Sequence, residues 1–449
     1  MNRIILLFIV MSIAASALAS GPVHNVRDFG AAGDGHTNDH DAIQKAISIC
    51  GADGGTVILS NGTFLTSQVI LSDNITIQID STATVLGIQS DSDADYPRGI
   101  ISTRFPNRMK DDCQRRLFYG DHVRNVTITG GGTICGQGEY APWMHVAGLG
   151  TEKDRPSLLA FVGCTNIIVS NLTMLRPACW TQVYIESDSI TIRGLKIDTG
   201  TLTPNRDGID IVDCHHVLIE DCSIRSEDDG ICFKSGSEYG CDNVTVRRCF
   251  IDKTGVTAGN CFKLGTDGLG SFTNFDISGL TLINAVQNSA IAIESVDGAM
   301  IDNLNLSNCN ISNCGQAIFI ILGDRRRTVP GRPTRIGSVS NILFSNIEGK
   351  DFSRQYPSII TGIAGHNIQN VTFENCRMTL KGGVRNIGQI VPEYDGSYPE
   401  GSKYGETNAY GFYIRHTDKV TFVNCQILSE EPDAREWKST DDVKAFIFR

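Results

Sequence analysis

A short motif that returns ten times along the chain constrains its fold more than any other feature. Each copy has Asn or another polar residue, an apolar, polar, apolar triplet, and a polar turn that often leads into Cys-x-apolar. Copies include Asn125-Val126-Thr127-Ile128, Asn166-Ile167-Ile168-Val169, Ser189-Ile190-Thr191-Ile192, His216-Val217-Leu218-Ile219 and Asn243-Val244-Thr245-Val246, and others start at Asn274, Asn303, Asn341, Asn370 and Lys419. From Ser189 to Asn303 the starts are 27, 27, 31 and 29 residues apart. A period of this size marks stacked structural units.

Within each copy the period-two alternation fits a short strand with one buried face, and Gly, Asn and Asp punctuate the corners. No helical pattern of crossover length separates the copies, so a doubly wound sheet is excluded. Coiling each repeat onto the last buries one apolar column instead. The expected fold is therefore all-β, a single-stranded right-handed parallel β-helix. Asn38 to Cys50 has helical apolar spacing behind a polar start and is expected to form a short N-terminal capping helix. Segments 136–158 and 379–412 interrupt the repeat with Gly, Pro, Tyr and charged residues and are expected to be long loops walling a cleft.

Two ladders follow from the repeat. Cys222, Cys249, Cys309, Cys376 and Cys425 each precede Ile or Met by two residues, so they should point inward as stacked thiols; disulfides are the alternative for a chain with 15 cysteines. The repeated Asn should form a corner ladder of side-chain amides bonded from coil to coil. Sequons such as those at Asn125, Asn243 and Asn370 then become by-products of the repeat.

Arg3, the apolar run Ile4 to Val10 and the small-residue stretch Ala17-Leu18-Ala19 read as an export signal over residues 1–19, leaving one β-helical domain over 20–449. No later stretch reaches the roughly 18 apolar residues of a membrane span. A secreted or periplasmic monomer is expected. The formal charge of −11 and pI near 5.3 argue against nucleic acid and against any polyanion held by bulk electrostatics, so an acidic ligand needs a local basic cleft.

Two consecutive coils carry Asn205-Arg206-Asp207-Gly208-Ile209-Asp210 and Glu227-Asp228-Asp229-Gly230-Ile231. The shared Asp-Gly-Ile puts Asp207 and Asp229 in register, so their Cα atoms should lie near the roughly 4.7–4.9 Å strand spacing. An Asp-Gly at a coil corner is ordinarily a solvated turn. Three Asp on two neighbouring coils differ, because crowded carboxylates push their pKa values apart and leave one protonated beside ionised neighbours, the division glycoside hydrolysis needs. Asp228 and Asp229 can both face a cleft only where the strand bends or ends, and Gly230 permits that.

These motifs resemble the polygalacturonase family, glycoside hydrolase family 28, with its Asn-x-Asp followed about one coil later by Asp-Asp. Val26-Arg27-Asp28-Phe29-Gly30 with Gly33-Asp34-Gly35 resembles the opening motif of the wider pectin-active, pectin-lyase-like superfamily, which includes lyases. The resemblance implies an inverting glycosidase acting on a pectic polysaccharide or oligosaccharide without metal or cofactor. It makes Asp228 the general acid and gives Asp207 and Asp229 the attacking water, and inversion needs roughly 6.5–9.5 Å between acid and base.

The chain departs from the family pattern at two places. Asn260 stands where the family has the histidine of Gly-His-Gly, and Ala292-Ile293-Glu294 stands where it has Arg-Ile-Lys. A uronate beside clustered Asp needs compensating cations, so either the sugar there is neutral or other cations serve. Lys234 and Lys263, in the matching runs Cys232-Phe233-Lys234 and Cys261-Phe262-Lys263, are expected to line the cleft, with Glu294 similarly placed on the next coil. Asn205 and Asn260 are further expected contacts to substrate, and Arg326, in the Arg325-Arg326-Arg327 turn, is the candidate uronate ligand, a solvated basic turn being the other reading of the trio. Trp180 reads as corner packing ahead of a sugar platform, and His215 and His216 as structural members of the repeat. A lyase holding Ca²⁺ on the carboxylates and a non-catalytic glycan-binding β-helix are the alternatives.

Overall fold

The computed structural model describes residues 21–99, 103–111, 114–143, 154–201, 204–327, 329, 331, 333–352, 356–386, 391–394 and 396–449. The leader expected over residues 1–19 lies outside them, as do Cys113 and parts of both expected loops.

Each coil lays down three short strands, and every strand pairs in parallel with its equivalent one coil on. The cleft-bearing ladder runs through Gln182–Ile185, Ile209–Val212, Ile231–Ser235, Phe262–Gly268, Ser289–Ser295 and Gln316–Leu322. A second ladder contains the repeat motif itself, as in Asp188–Arg193, His215–Glu220, Cys241–Arg247 and Ser271–Ser278. A third ladder is built from three-residue strands such as Lys196–Asp198, Ser223–Arg225 and Phe250–Asp252. Among the described residues the first two ladders share one 24-stranded sheet and the third is a separate 13-stranded sheet. This is the parallel β-helix that the repeat demands.

The apolar positions of the motif stack into columns. Ile190, Val217, Val244, Phe275 and Leu304 follow one another in register on the second ladder, and all are buried. Ile197, Ile224, Ile251 and Leu282 do the same on the third. Each such side chain contributes about 1.5–3 kcal/mol by leaving water, so the repeated column is the main source of cohesion.

The five expected ladder cysteines are buried, and all 14 cysteines among the described residues are free thiols. The Asn ladder is also present. Asn125 Nδ2 donates to Asn74 Oδ1, Asn166 to Asn125, Asn303 to Asn274 and Asn370 to Asn341, at 2.7–2.9 Å. These residues share φ values of 52–59°, the left-handed conformation that Asn tolerates better than other side chains.

One α-helix, His40–Asp53, covers the first coils with Ala42, Ile43, Ala46, Ile47 and Cys50 buried. It begins two residues later than the pattern predicts. Asp39, at its N-cap, turns its carboxylate to the backbone N–H groups of Ala32 and Gly33 rather than to the helix.

Candidate active site

The outward face of the cleft-bearing ladder is covered differently along its length. At one end Met109, Tyr119, Trp180, Val183 and Val212 form an apolar shoulder, and at the other Ala292, Phe319, Ile321, Tyr404 and Tyr413 form a second. Between them the floor is polar.

Registers of Ile209 with Ile231 and of Ile231 with Phe262 align Asp207, Asp229 and Asn260 at one corner of three successive coils. Asp228 and Asp229 lie in the corner between Ser223–Arg225 and Ile231–Ser235 rather than within a strand, which lets both address the cleft. Glycine permits the tight stacking here. A Cβ on Gly230 would lie 2.5 Å from Cys261 O, and one on Gly259, whose φ is +70°, would lie 2.3 Å from Asp228 C.

Buried cations behind the floor hold the corners. Lys253 Nζ donates to the carbonyls of Ser226, at 2.8 Å, and Asp228. Arg206 donates to Thr199 O and Gly138 O. Arg155 reaches Pro204 O at 2.6 Å and Asn205 Oδ1 at 3.2 Å. Arg155 and Gly138 both come from the 136–158 interruption, so its described part buttresses the Asn205–Asp207 turn from behind instead of forming only a rim.

The carboxylates divide by environment. Asp229 Oδ1 accepts from the Asn260 backbone N–H at 2.7 Å and from its Nδ2 at 3.2 Å, and Oδ2 lies 3.0 Å from Lys263 Nζ. Burial alone would raise its pKa, but Lys263 and Lys234 outweigh burial and hold it down at about 2. Asp228 is raised, by burial first and by the charge of Asp229 second. Its Oδ1 accepts the Asp229 N–H at 2.8 Å. Asp207 is also raised, by burial and by Asp210, although Lys234 Nζ is 3.2 Å from its Oδ2. Lys234 is shared between Asp207 and Asp210 and sits 4.3 Å from the centroid of the Trp180 ring. The cluster thus sets a carboxyl of raised proton affinity, Asp228, directly beside one of lowered proton affinity, Asp229.

Two adjoining hollows open over this floor, of about 280 and about 790 Å³, and both are lined by Asn205, Asp228, Lys263 and Tyr398. The smaller also holds Asp207, Asp229 and Lys234; the larger also holds Asn260 and Glu294. Eight of the nine residues expected at the site therefore line one groove.

Three expectations need correction. Arg326 does not line either hollow; its guanidinium pairs with Asp324 beside it, and the arginine that enters the smaller hollow from this turn is Arg327. Lys234 and Lys263 are not equivalent, because Ile231 pairs with Phe262 and Cys232 with Lys263, which offsets the repeated Cys-Phe-Lys runs by two residues. Glu294 likewise faces Gly265, since Lys263 pairs with Ala292. Trp180 is 4% exposed, packs in the apolar shoulder and also lines the smaller hollow. His216 pairs with Asp188 at 3.0 Å at a ladder position and His215 stacks on Tyr239, both away from the floor.

Sequence reasoning missed Tyr398, whose hydroxyl accepts from Lys263 Nζ at 2.7 Å, and missed Arg108, Asp210 and Asp267. Asp210 was legible in principle, because alternation places it outward between the core residues Ile209 and Ile211. Tyr398 and Arg108 come from loops whose course over the coils no periodicity records. Asp207, Asp229 and Cys232 also bring possible ligand atoms within 4.8 Å of one another, but the charge there is already met by the ammonium groups of Lys234 and Lys263.

A parallel β-helix with a groove floored by carboxylates and lysines is common to hydrolases and lyases, and family membership places the chain among the glycoside hydrolases. The chain belongs to the glycosyl hydrolases family 28, whose family model matches residues 52–393. It is 34% identical over 222 residues to a probable polygalacturonase of Vitis vinifera, covering 47% of this chain and 44% of that one, less than half of the relative's length. It is 25% identical to an exopolygalacturonase of Arabidopsis thaliana over 75% of each chain. In fold it is similar to the family 28 exopolygalacturonase of Yersinia enterocolitica, with TM-score 0.70, 18% identity, and coverage of 94% of this chain and 78% of that one.

Proposed function

We propose that the chain is an exported, inverting hydrolase of pectic polysaccharide or oligosaccharide, with Asp228 as general acid and Asp207 and Asp229 holding the water. The observation that carries this reading is the opposed proton affinity of two adjacent residues at the junction of the two hollows. Asp228 is pushed toward holding its proton and Asp229 toward losing it, and an inverting glycosidase needs both states at once. In the reaction the Asp228 proton passes to the glycosidic oxygen as the C1–O bond breaks. Water adds to C1 from the opposite face and gives its proton to the Asp207 and Asp229 side, so the product anomer is inverted.

The pectic assignment draws on the family and on the polygalacturonase relatives. The two buried lysines neutralise the carboxylate cluster, so a substrate beside it does not meet its full negative charge. The test is digestion of a panel of pectic polymers with NMR readout of the first-formed anomer. The expected result is inverted product, with Asp228→Asn losing at least about 10²-fold in kcat, the range of general acid catalysis, at an unchanged unfolding temperature. Retained anomeric form, or full activity in Asp228→Asn, would overturn the reading; unsaturated products absorbing in the ultraviolet would place the chain with the lyases.

A further inference from the structure

The two hollows differ in how they end. Water attacks the anomeric carbon of the glycone sugar, so that sugar lies beside Asp207 and Asp229. Of the two hollows the smaller contains both, and the leaving part of the substrate then extends into the larger.

Behind the smaller hollow the floor gives way to a packed wall. One outward column of the cleft-bearing ladder runs Tyr119, Ala160, Val183, Asp210, Cys232 and Lys263 from coil to coil. Two residues further along the strands the next column runs Val162, Ile185, Val212 and Lys234. The polar floor therefore begins at Asp210 and Lys234. The coils before it present apolar side chains, and Met109 and Trp180, 2% and 4% exposed, pack over them and line the hollow.

Met109 belongs to a segment fastened across three coils. Arg104 N donates to Glu186 Oε2 at 2.6 Å, Asn107 Nδ2 to Asp213 Oδ2 at 2.9 Å and Arg108 N to Gly236 O at 2.8 Å. These acceptors directly follow Gln182–Ile185, Ile209–Val212 and Ile231–Ser235. The Arg108 side chain then pairs with Asp267 on the next coil, and Asp267 also pairs with Arg327 at 3.4 Å, which closes that flank. The opposite flank is formed by Asn205 and Asp228. The enclosed space of about 280 Å³ falls just below the roughly 300–1,000 Å³ of pockets that take drug-sized ligands, a scale that suits one sugar ring. The larger hollow, of about 790 Å³, has a rim at Thr257 and Gln287, both exposed, so it opens to solvent there.

We propose that the smaller hollow is a blind pocket for the non-reducing terminal sugar, and that the chain cuts from that end and releases one sugar at a time. This rests on the hydrolase reading above. A second sugar on the glycone side would need the volume that Met109 and Trp180 fill, and a close-packed wall does not yield it cheaply. The aglycone meets no such limit, because it continues through the larger hollow to solvent.

The test follows the products from pectic oligosaccharides labelled at the reducing end and from the parent polymer. Wild type should release unlabelled monosaccharide first and leave labelled chains one sugar shorter, while polymer viscosity stays nearly constant as reducing ends accumulate. The terminal bond should be cut at least roughly 10-fold faster than the next, the discrimination of a closed pocket against one group too many. Met109→Ala lowers the wall and should cut that preference by at least about threefold, with disaccharide appearing. Arg108→Ala, which opens the flank, should release disaccharide as well and carries this arm should Met109→Ala unfold early. A rapid fall in viscosity with a spread of early oligosaccharides, release of the labelled sugar first, or a wild-type product pattern in the folded variants would overturn the assignment. If those products are inverted and Asp228→Asn is inactive, only the blind pocket falls; if Asp228→Asn keeps full activity, the hydrolase reading falls with it.

Discussion

Two corners of the same coil use stacking to opposite ends. At the corner that opens the second ladder, Asn74, Asn125 and Asn166 succeed one another with nearly identical backbone angles and hand a hydrogen bond from coil to coil. At the corner that opens the cleft-bearing ladder, the equivalent positions read Asp207, Asp229, Asn260 and Ser289, no longer a repeat. Repetition satisfies each polar group by its own copy. Departure from it crowds like charges at strand spacing, which is destabilising unless cations intervene. The chain supplies Lys234 and Lys263 from the outward face of the strands that follow, and Lys253 from behind. A break in a repeat is thus where chemistry concentrates, and the fold keeps it in place with buried ammonium groups.

The contrast can be broken most forcefully at Lys263. Lys263→Met removes the ammonium that touches Asp229 and leaves its buried charge only the more remote Lys234 and the Asn260 hydrogen bonds, so up to about 3–5 kcal/mol of stability should be lost in denaturant unfolding near neutral pH. In the same variant the Asp229 pKa should rise, because the larger of the two cations that hold it down is gone.

A pH profile sharpens the comparison. Asp229 is depressed from 3.8 to about 2, so its contribution to stability is complete above about pH 4 and is lost as pH falls toward 2. Activity in wild type should therefore persist to low pH. It should decline on the alkaline side as Asp228, raised by burial and by Asp229, gives up its proton. The profile of kcat/KM reads both limbs, and an acid limb left unmoved by Lys263→Met would sink the account of Asp229.

The smallest effect belongs to the repeating corner. Asn303→Ala removes one rung of the ladder and should cost about 1 kcal/mol in thermal or denaturant unfolding. Its activity should equal wild type, since the rung touches neither hollow.

The parts of the molecule legible in the sequence are those the repeat governs. The stacked Val and Ile columns, the Asn ladder, the inward cysteines and the alignment of Asp207 with Asp229 all follow from period and register. The misreading of Lys234 and Lys263 shows the limit of this approach. Two identical Cys-Phe-Lys runs looked equivalent, yet the coils stack with Ile231 opposite Phe262 and Cys232 opposite Lys263, so the runs are offset by two residues. Arg326 failed for a different reason, because which of three consecutive turn residues faces the groove depends on how the turn is held. Asp297 decides it by binding Arg325 and accepting from the Arg327 N–H. Tyr398 and Arg108 carry no periodic mark at all.

The free cysteines have a consequence for how the protein fails. Among the described residues no covalent cross-link joins one coil to another, and the 14 thiols are kept apart from solvent only by packing. An opened coil in an oxidising medium would expose several thiols together, and a bond formed between them would hold the coil open. Because such bonds form over seconds to hours, slower than a local opening recloses, survival of the molecule there is set by how small a fraction of the time its coils stand open.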